Sequence, residues 1–137
     1  MSDLVRRVEY YYVRVPDRPG AGLKVLSQLK QSGVNLGAYL GFPGGRGKSQ
    51  IDLFPEDAAM LKQAIEKTGL KLVGPRKAFL IQGDDRVGAV ADILRSLAEV
   101  KINVKAAAAA GAGGGRYGMM LWVAQASYEK AAQALGV

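Results

Sequence analysis

The sequence contains no cysteine and no histidine. It therefore offers no disulfide, no thiolate or imidazole ligand for a metal, no nucleophilic cysteine and no histidine base. It also lacks an apolar run of the roughly 18 residues that a membrane-spanning helix needs, and its first residues do not begin a signal core. We therefore expect a cytoplasmic protein with no membrane segment, no metal and no other cofactor.

The 137 residues carry a net charge of +7, which raises the question of a nucleic-acid partner. Lysine and arginine are spread almost evenly along the chain, and no more than two of them stand side by side. Binding to phosphates depends on clustered cations. A mildly basic, solvated surface is therefore the favoured interpretation, and a nucleic-acid partner is not expected.

The sequence repeats itself at an offset of 68 residues. Without gaps, 11 of the 38 residues from Asp17 to Phe54 are identical to their counterparts between Asp85 and Trp122. The best matched segment is Asp-Arg-x-Gly-Ala, at 17–21 and again at 85–89. Two copies of one small module explain this pattern better than a single fold of the whole chain.

Hydrophobic periodicity predicts a strand and a helix at the start of the first copy. Residues 10–15 are aromatic and β-branched, which indicates a strand with Tyr11, Val13 and Val15 on one face. After the loop 17–20 a helix is expected to continue as far as Gly33. Its predicted buried stripe consists of Leu23, Val25, Leu26 and Leu29.

The rest of the first copy reads as a hairpin, a helix and a strand. Apolar residues alternate with other residues from Leu36 to Leu40 and again from Gln50 to Leu53, with a glycine-rich turn between them. Pro55-Glu56-Asp57 is typical of a helix start, and a short last strand is expected over 70–73, ended by Gly74-Pro75. The module is therefore β-α-β-β-α-β.

The second copy follows the same pattern with one conflict and one omission. Its helix is expected to bury a single face formed by Val90, Ile93, Leu94 and Leu97. The repeat places Ala106–Ala110 in a hairpin strand, although alanine is the best helix former, so a helix is the alternative there. Nothing corresponds to 70–73. The edge of Phe79–Ile81 is therefore expected to be filled by Leu4–Val8 or by another subunit.

The predicted fold class is α+β, with two tandem ferredoxin-like modules. Each is expected to be an antiparallel sheet with helices packed on one face, and the second to lack its last strand. The modules are assigned to residues 1–75, with an N-terminal extension at 1–8, and to residues 76–137.

A β-α-β-β-α-β unit with Asp-Arg-Pro-Gly after its first strand and Val-Asn-Leu after its first helix resembles an ACT domain. The resemblance covers about residues 8–137. Two such units in tandem make the chain similar to small stand-alone proteins built from two ACT modules. It implies a non-catalytic regulatory protein that binds an amino acid or similar small effector at module interfaces. It also implies a homodimer or higher homo-oligomer and a regulated enzyme or transcription factor as partner.

Carried onto this chain, the resemblance implies two sets of effector-binding residues. The first set is Asp17, Arg18, Pro19, Gly20, Gly22 and Asn35. The second set is Asp85, Arg86, Gly88 and Asn103, where Val87 replaces the proline of the motif. The chemistry is compatible, because a glycine loop entering a helix presents N–H groups and a positive dipole end to a carboxylate. The alternative is that the loop is an ordinary turn and helix start, and that the asparagine is only a cap or turn residue.

Other functions fit the sequence less well. Gly47-Lys48-Ser49 resembles the end of a phosphate-binding loop, but Phe42 stands where its first glycine belongs and a strand follows. No acid, base or nucleophile has an orienting neighbour, so an enzyme is the third choice. An RNA-binding protein of ferredoxin-like fold is the main alternative, with Tyr10, Tyr11 and Tyr12 as candidates for stacking on bases.

Overall fold

The computed structural model describes residues 3–137. This part of the chain is an α+β fold with six strands and four α-helices. The strands are β1 (Leu4–Pro16), β2 (Leu36–Gly45), β3 (Lys48–Pro55), β4 (Val73–Asp84), β5 (Val104–Gly113) and β6 (Arg116–Val123). The helices are α1 (Ala21–Gln31), α2 (Ala58–Glu66), α3 (Ala89–Ala98) and α4 (Tyr128–Leu135), the last preceded by a short 3-10 helix, Gln125–Ser127.

The chain divides into two compact units. The first unit is Glu9–Arg76, and the second unit is Lys77–Val137 together with residues 3–8. The strand order is β2-β3-β1-β4 in the first unit and β5-β6-β4-β1 in the second, so β1 and β4 contribute to both. The N-terminal part of β1, Leu4–Val8, therefore lies beside β4 in the second unit, which is the first of the two arrangements expected for the edge of Phe79–Ile81.

The core of the first unit lies between one face of its strands and two helices. Its buried residues are Tyr11, Val13, Val15, Val25, Leu29, Ile51, Leu53, Leu61, Ala64 and Ile65. The expected strand face of Tyr11, Val13 and Val15 is therefore buried against α1 and α2. Leu23 was wrongly expected in the buried stripe of α1, because it is 67% exposed. Two residues along a helix turn by about 200°, so Leu23 faces away from the sheet when Val25 faces it.

The core of the second unit is built in the same way. Its buried residues are Phe79, Ile81, Ala89, Ile93, Leu97, Ile102, Tyr117, Met119, Leu121, Val123, Tyr128, Ala131 and Ala132. Ala89, Ile93 and Leu97, each four residues apart, form the buried face of α3. Val90 and Leu94 were expected there but are 36% and 37% exposed. Each is one residue, about 100°, beyond the buried row, so it lies at the margin of the contact.

The last strand of the first copy is longer than expected and starts later. Residues 70–72 are outside any strand, and β4 begins at Val73 and continues through Gly74-Pro75 to Asp84. The predicted break at Gly74-Pro75 is therefore wrong. Gly74 has φ +137°, and a Cβ there would lie 2.8 Å from Tyr11 Cδ2 and 2.9 Å from the Tyr10 carbonyl oxygen. Glycine is needed because the backbone passes too close to β1 for a side chain.

The alanine run from Ala106 to Ala110 is a strand, so the helical alternative is wrong. Within β5 these residues pair antiparallel with β6 from Gly118 to Trp122. The β2–β3 and β5–β6 hairpins share their irregularities at the repeat offset, with register shifts after Leu36 and after Val104. Pairing with β6 and the glycine turn thus override helix propensity, which is a weak determinant when tertiary contacts are available.

Tyr10 and Tyr11 are both buried, although they lie on opposite faces of β1. Tyr11 belongs to the core of the first unit, and the ring of Tyr10 stacks on Phe54 with a centroid distance of 5.1 Å. Both faces of β1 are therefore buried at this point of the strand. None of the helices in the described part of the chain has the length and hydrophobicity that a membrane crossing requires.

Candidate functional site

The loops that precede α1 and α3 have the same backbone geometry. The Asp17 amide donates to the Gly47 carbonyl at 2.9 Å, and the Asp85 amide donates to the Gly115 carbonyl at the same distance. Gly20 and Gly88 form the helix N-caps with φ of 87° and 83°. A left-handed N-cap favours glycine. Neither cap supplies a side-chain acceptor to the first amides of its helix.

The first of these loops forms one wall of a cleft in the first unit, which we call the first cleft. Its volume is about 500 Å³, within the range typical of small-molecule sites. Arg18, Pro19 and Gly20 of the predicted site line it. The other lining residues are Val15, Pro16, Ala21, Lys24, Val25, Gln28, Thr68 and Leu70.

The first cleft is positively charged. Arg18 and Lys24 line it, and neither forms a salt bridge with another residue among 3–137. The first turn of α1 contains no acidic residue, so the positive end of the helix dipole is not neutralised locally. The arrangement suits a carboxylate or another small anion.

Two polar side chains in the first cleft are already positioned by neighbouring groups. Thr68 Oγ1 donates to the Ile65 carbonyl at 2.6 Å and accepts from the Leu70 amide at 3.2 Å. Gln28 Nε2 donates to Ser32 Oγ at 3.0 Å, which leaves its carbonyl oxygen as an acceptor. An ammonium group in the cleft would therefore have an amide oxygen available.

Three residues of the first predicted set do not line the first cleft. Asp17 accepts a hydrogen bond from Ser49 Oγ at 3.0 Å. Gly22 lies within α1, and a Cβ there would make an ordinary contact of 3.5 Å with Ile51. Asn35 is exposed and follows the other end of α1, about 16 Å away for a helix of this length. Within the first unit, Asn35 therefore does not meet the loop at 17–20.

The second loop borders a smaller cleft of about 290 Å³ in the second unit, which we call the second cleft. Asp85, Arg86 and Gly88 of the second predicted set line it. The other lining residues are Ala89, Val90, Ala91, Ala109, Ala110, Gly111 and Tyr117. Asn103 is exposed and follows the far end of α3, as Asn35 does for α1.

Arg86 is held by acidic side chains, in contrast to its counterpart Arg18. Its Nη1 and Nη2 donate to Asp3 Oδ1 and Oδ2 at 3.0 and 3.2 Å, and Nη2 also donates to Asp92 Oδ2 at 3.2 Å. The hydrogen bonds from Arg86 lower the pKa of Asp3 despite the opposing effect of burial. Hydrogen bonds to Asp3 and then Asp92 raise the pKa of Arg86, so this group stays charged at all physiological pH values.

Tyr117 lies beside this ion pair. Its hydroxyl is buried and has no hydrogen-bond partner among residues 3–137. Burial, and then the charge of Asp3, raise the pKa of the phenol. Tyr117 therefore remains a neutral hydroxyl beside the Asp3 carboxylate in the wall of the second cleft.

Sequence reasoning missed Lys24, Gln28 and Thr68 in the first cleft, and Asp3 and Tyr117 in the second. Lys24 and Gln28 lie one and two turns along α1 from the cap, so helical spacing from Gly20 was a usable signal. Thr68 and Asp3 reach their clefts only through the tertiary fold.

Among residues 3–137 no group of three acidic side chains is close enough to hold a metal ion.

Comparisons with known proteins identify the fold. No protein-family model matches the sequence, and no curated protein matches it. The regulatory subunit of aspartate kinase from Thermus thermophilus, in a ligand-free form, matches 98% of this chain and 95% of its own, with a TM-score of 0.69 and 17% identity. The chain has the fold of that regulatory subunit.

Two further structures share this fold. Protein BT0572 from Bacteroides thetaiotaomicron matches 96% of this chain and 88% of its own, with a TM-score of 0.81 and 13% identity. Escherichia coli aspartokinase III in complex with lysine and aspartate matches 98% of this chain, at a TM-score of 0.57 and 12% identity. The matched part is 32% of the aspartokinase chain. At these identities the similarity establishes the fold.

Proposed function

We propose that this protein is a non-catalytic regulatory protein built from two tandem ACT-like modules that binds an amino acid or similar small carboxylate. The observation that carries the proposal is the first cleft. Arg18 and Lys24 lack salt-bridge partners among residues 3–137 and stand with the uncapped start of α1 around about 500 Å³. The ligand's carboxylate binds these two cations and the first backbone amides of α1. Its ammonium group faces the Gln28 carbonyl oxygen.

The fold supports the same proposal. The regulatory subunit of aspartate kinase has this fold, and the aspartokinase III structure was obtained with lysine and aspartate. We therefore propose an amino-acid effector and an enzyme as the regulated partner. Asn35 and Asn103 lie away from the clefts within their own units, so a role for them in binding requires a second copy of the chain.

We also propose that the chain is a homodimer. In the strand order, β2 and β5 each pair on one side only. From Lys105 to Gly113, β5 consists of one lysine followed by alanines and glycines. It contains no proline that would block pairing. Exposed edge strands of this kind favour association, and symmetric dimers are the commonest outcome.

Thermal unfolding in the presence of each of the twenty amino acids tests the function. A ligand at about one hundred times its Kd stabilises a folded protein by ~2.7 kcal/mol, which corresponds to roughly 10 °C for a chain of this size. For the amino acid that binds, Lys24→Gln is expected to raise Kd at least about tenfold through loss of a charge-assisted hydrogen bond. The matched control is Lys30→Gln, which changes the same charge at the other end of α1.

The same experiment separates the alternatives. Absence of a shift with any amino acid, or an equal loss in Lys24→Gln and Lys30→Gln, overturns the proposal for the first cleft. Stabilisation by short single-stranded RNA alone, lost steeply as salt rises, favours the RNA-binding alternative. Because Tyr10 is 7% exposed and stacked on Phe54, its ring is not presented for stacking on a base.

A further inference from the structure

The arginine of the second cleft is already bound to a carboxylate of the same chain. Both terminal nitrogens of Arg86 donate to the two oxygens of Asp3, at 3.0 and 3.2 Å. This paired geometry is the one by which arginine binds a free carboxylate ligand. The Asp3 side chain is 9% exposed, although it immediately precedes β1. Asp3 therefore occupies the place that the carboxylate of a ligand would take.

The surroundings of Asp3 form a built site for this carboxylate. Gly83 lies against it, and a Cβ at this position would overlap Asp3 Oδ1 and lie 2.8 Å from the Tyr117 ring. Tyr117 itself is 5% exposed, lines the second cleft and carries a buried hydroxyl with no partner among residues 3–137. This hydroxyl lies close enough to the Asp3 carboxylate to lower its pKa. It is therefore placed to donate to whichever carboxylate occupies the position of Asp3.

A difference in charge separates the second cleft from the first. The residue one turn into the helix is Lys24 in α1 and Asp92 in α3, at equivalent positions of the repeat. Asp92 Oδ2 accepts from Arg86 at 3.2 Å, so this guanidinium faces two carboxylates. The first cleft thus has two cations without salt bridges among residues 3–137. In the second cleft, the two carboxylates neutralise Arg86.

The N-terminal strand is held to the second unit at a second point. Arg7 forms a salt bridge with Glu129 of α4 at 2.7 Å and donates to the Val137 carbonyl at 3.1 Å. Val5 packs against the core of the same unit. The position of Asp3 in the second cleft is therefore coupled to the seating of the strand that follows it.

We propose that the second cleft is a latent carboxylate-binding site for which Asp3 is the built-in ligand. A free carboxylate binds Arg86 and the Tyr117 hydroxyl only after the N-terminal end of β1 has withdrawn. The chain then binds one carboxylate ligand while β1 is seated and a second when its start is released. The statement about the first cleft rests on the proposed function, whereas closure of the second cleft by Asp3 does not.

Titration of the full chain with acetate, followed by NMR, tests this proposal. The signals to follow are the Arg86 side-chain N–H and the Gly88 and Ala89 amides. In Asp3→Asn these signals are expected to shift saturably, with an acetate affinity at least about tenfold higher than in the wild type, because one competing charge-assisted hydrogen-bond pair is removed. Asp84→Asn is the matched control, since it removes the same charge from the exposed Asp84–Arg116 pair of the same unit.

Two additional variants identify the site and guard against misfolding. Arg86→Gln combined with Asp3→Asn is expected to abolish the response. Asp3→Ala removes the same carboxylate without adding atoms near Tyr117. It is expected to reproduce the response of Asp3→Asn, and it takes the place of Asp3→Asn if that variant fails to fold. A wild type that responds as strongly as Asp3→Asn, or no response in either opened variant, overturns the proposal.

The same spectra report on the first cleft independently. The amides of Gly20 and Ala21 are expected to respond to acetate in every variant. Loss of that response alone contradicts the proposed function of the first cleft and leaves the closure of the second intact. If Gly20 responds and Arg86 does not respond in the variants that lack the Asp3 carboxylate, the proposal for the second cleft is overturned and the proposed function of the first cleft is unaffected.

Discussion

Gly20 and Gly22 are two residues apart at the start of α1, but only one of them needs to be glycine. Gly20 has φ +87° and open space around its Cα, so a side chain there is opposed by backbone strain alone. Gly22 has helical geometry, and a Cβ would contact Ile51 at an ordinary 3.5 Å. The resemblance grouped both as ligand residues, whereas the structure gives them different requirements.

We predict opposite effects of alanine at these two positions. Gly20→Ala is expected to lower the free energy of unfolding by about 1 kcal/mol, the cost of a left-handed alanine. Gly22→Ala is expected to raise it by up to about 0.5 kcal/mol, because alanine restricts the unfolded chain and favours the helix. Urea unfolding of both variants measures the difference, and equal values would contradict the assigned conformations.

Asp52 is a buried acid in the first unit, and its titration affects stability. It is 4% exposed and accepts a hydrogen bond from Gln50 Nε2 at 3.0 Å. Burial raises the pKa of Asp52, against the opposing effects of Gln50 and the charge of Arg76. Since the pKa is higher in the folded state, ionisation of Asp52 at neutral pH costs stability, and that cost disappears as the pH falls through the folded-state pKa.

Asp52→Asn is therefore expected to raise Tm at neutral pH. The asparagine keeps an oxygen that accepts from Gln50 and removes the buried charge. The gain should shrink as the pH falls toward about 3, where the wild-type carboxyl is itself neutral. Thermal melts over this pH range provide the measurement, with Asp84→Asn as an exposed control. A gain that is independent of pH would indicate repacking instead.

At the scale of single residues, the loop motif was the most informative part of the sequence. Arg18, Gly20, Arg86 and Gly88 line clefts because a loop-to-helix junction has few possible geometries. Whether each of the two arginines forms a salt bridge could not be predicted in this way. Arg86 is neutralised by Asp92, six residues away, and by Asp3, which is 83 residues away in sequence.

At the scale of secondary structure, two neighbouring residues in the N-terminal part of β1 have different surroundings. Val5 packs against the core of the second unit, whereas Leu4 is 57% exposed. Alternation along a strand explains this difference. Because Leu4–Val8 lies beside β4 without a further strand beyond it, side-chain packing adds to the pairing with β4 in holding it in place.

This packing predicts different outcomes for the same charge at neighbouring positions. Val5→Asp is expected to destabilise the second unit by about 1–3 kcal/mol, because it buries a charge in an apolar contact. Leu4→Asp is expected to have almost no effect. Amide hydrogen exchange over Ala78–Ile81 of β4 is the measurement, and it should accelerate in Val5→Asp only. Equal exchange in both variants would show that this face does not seat the strand.

The elements themselves were largely predictable, and the errors concern contacts between elements. The helices, the hairpins and the strand at Ala106–Ala110 followed from periodicity and from the repeat. Leu23, Val90 and Leu94 were assigned to buried faces and are exposed, because a helix with apolar residues on more than one side does not reveal which side meets the sheet. The break at Gly74-Pro75 failed because close approach to β1, rather than a turn, explains that glycine.

At the scale of the whole molecule, β1 and β4 each contribute residues to both units. Residues of β1 up to Val8 belong to the second unit and those from Glu9 onward to the first, and β4 divides at Arg76 and Lys77. Completing the second unit with the start of the chain brings Asp3 to Arg86. A repeat with the same loop motif in both copies thereby acquires two clefts of different charge.

The sequence alone determined the repeat, the order of its elements and the loops that border both clefts, because these depend on local periodicity and on glycine conformations that neighbouring residues dictate. Only the tertiary structure decided which helix faces are buried, which strand completes the second unit and which arginine is available to a ligand. These outcomes depend on contacts between segments far apart in the chain, and nothing in local propensity encodes which distant carboxylate an arginine will bind.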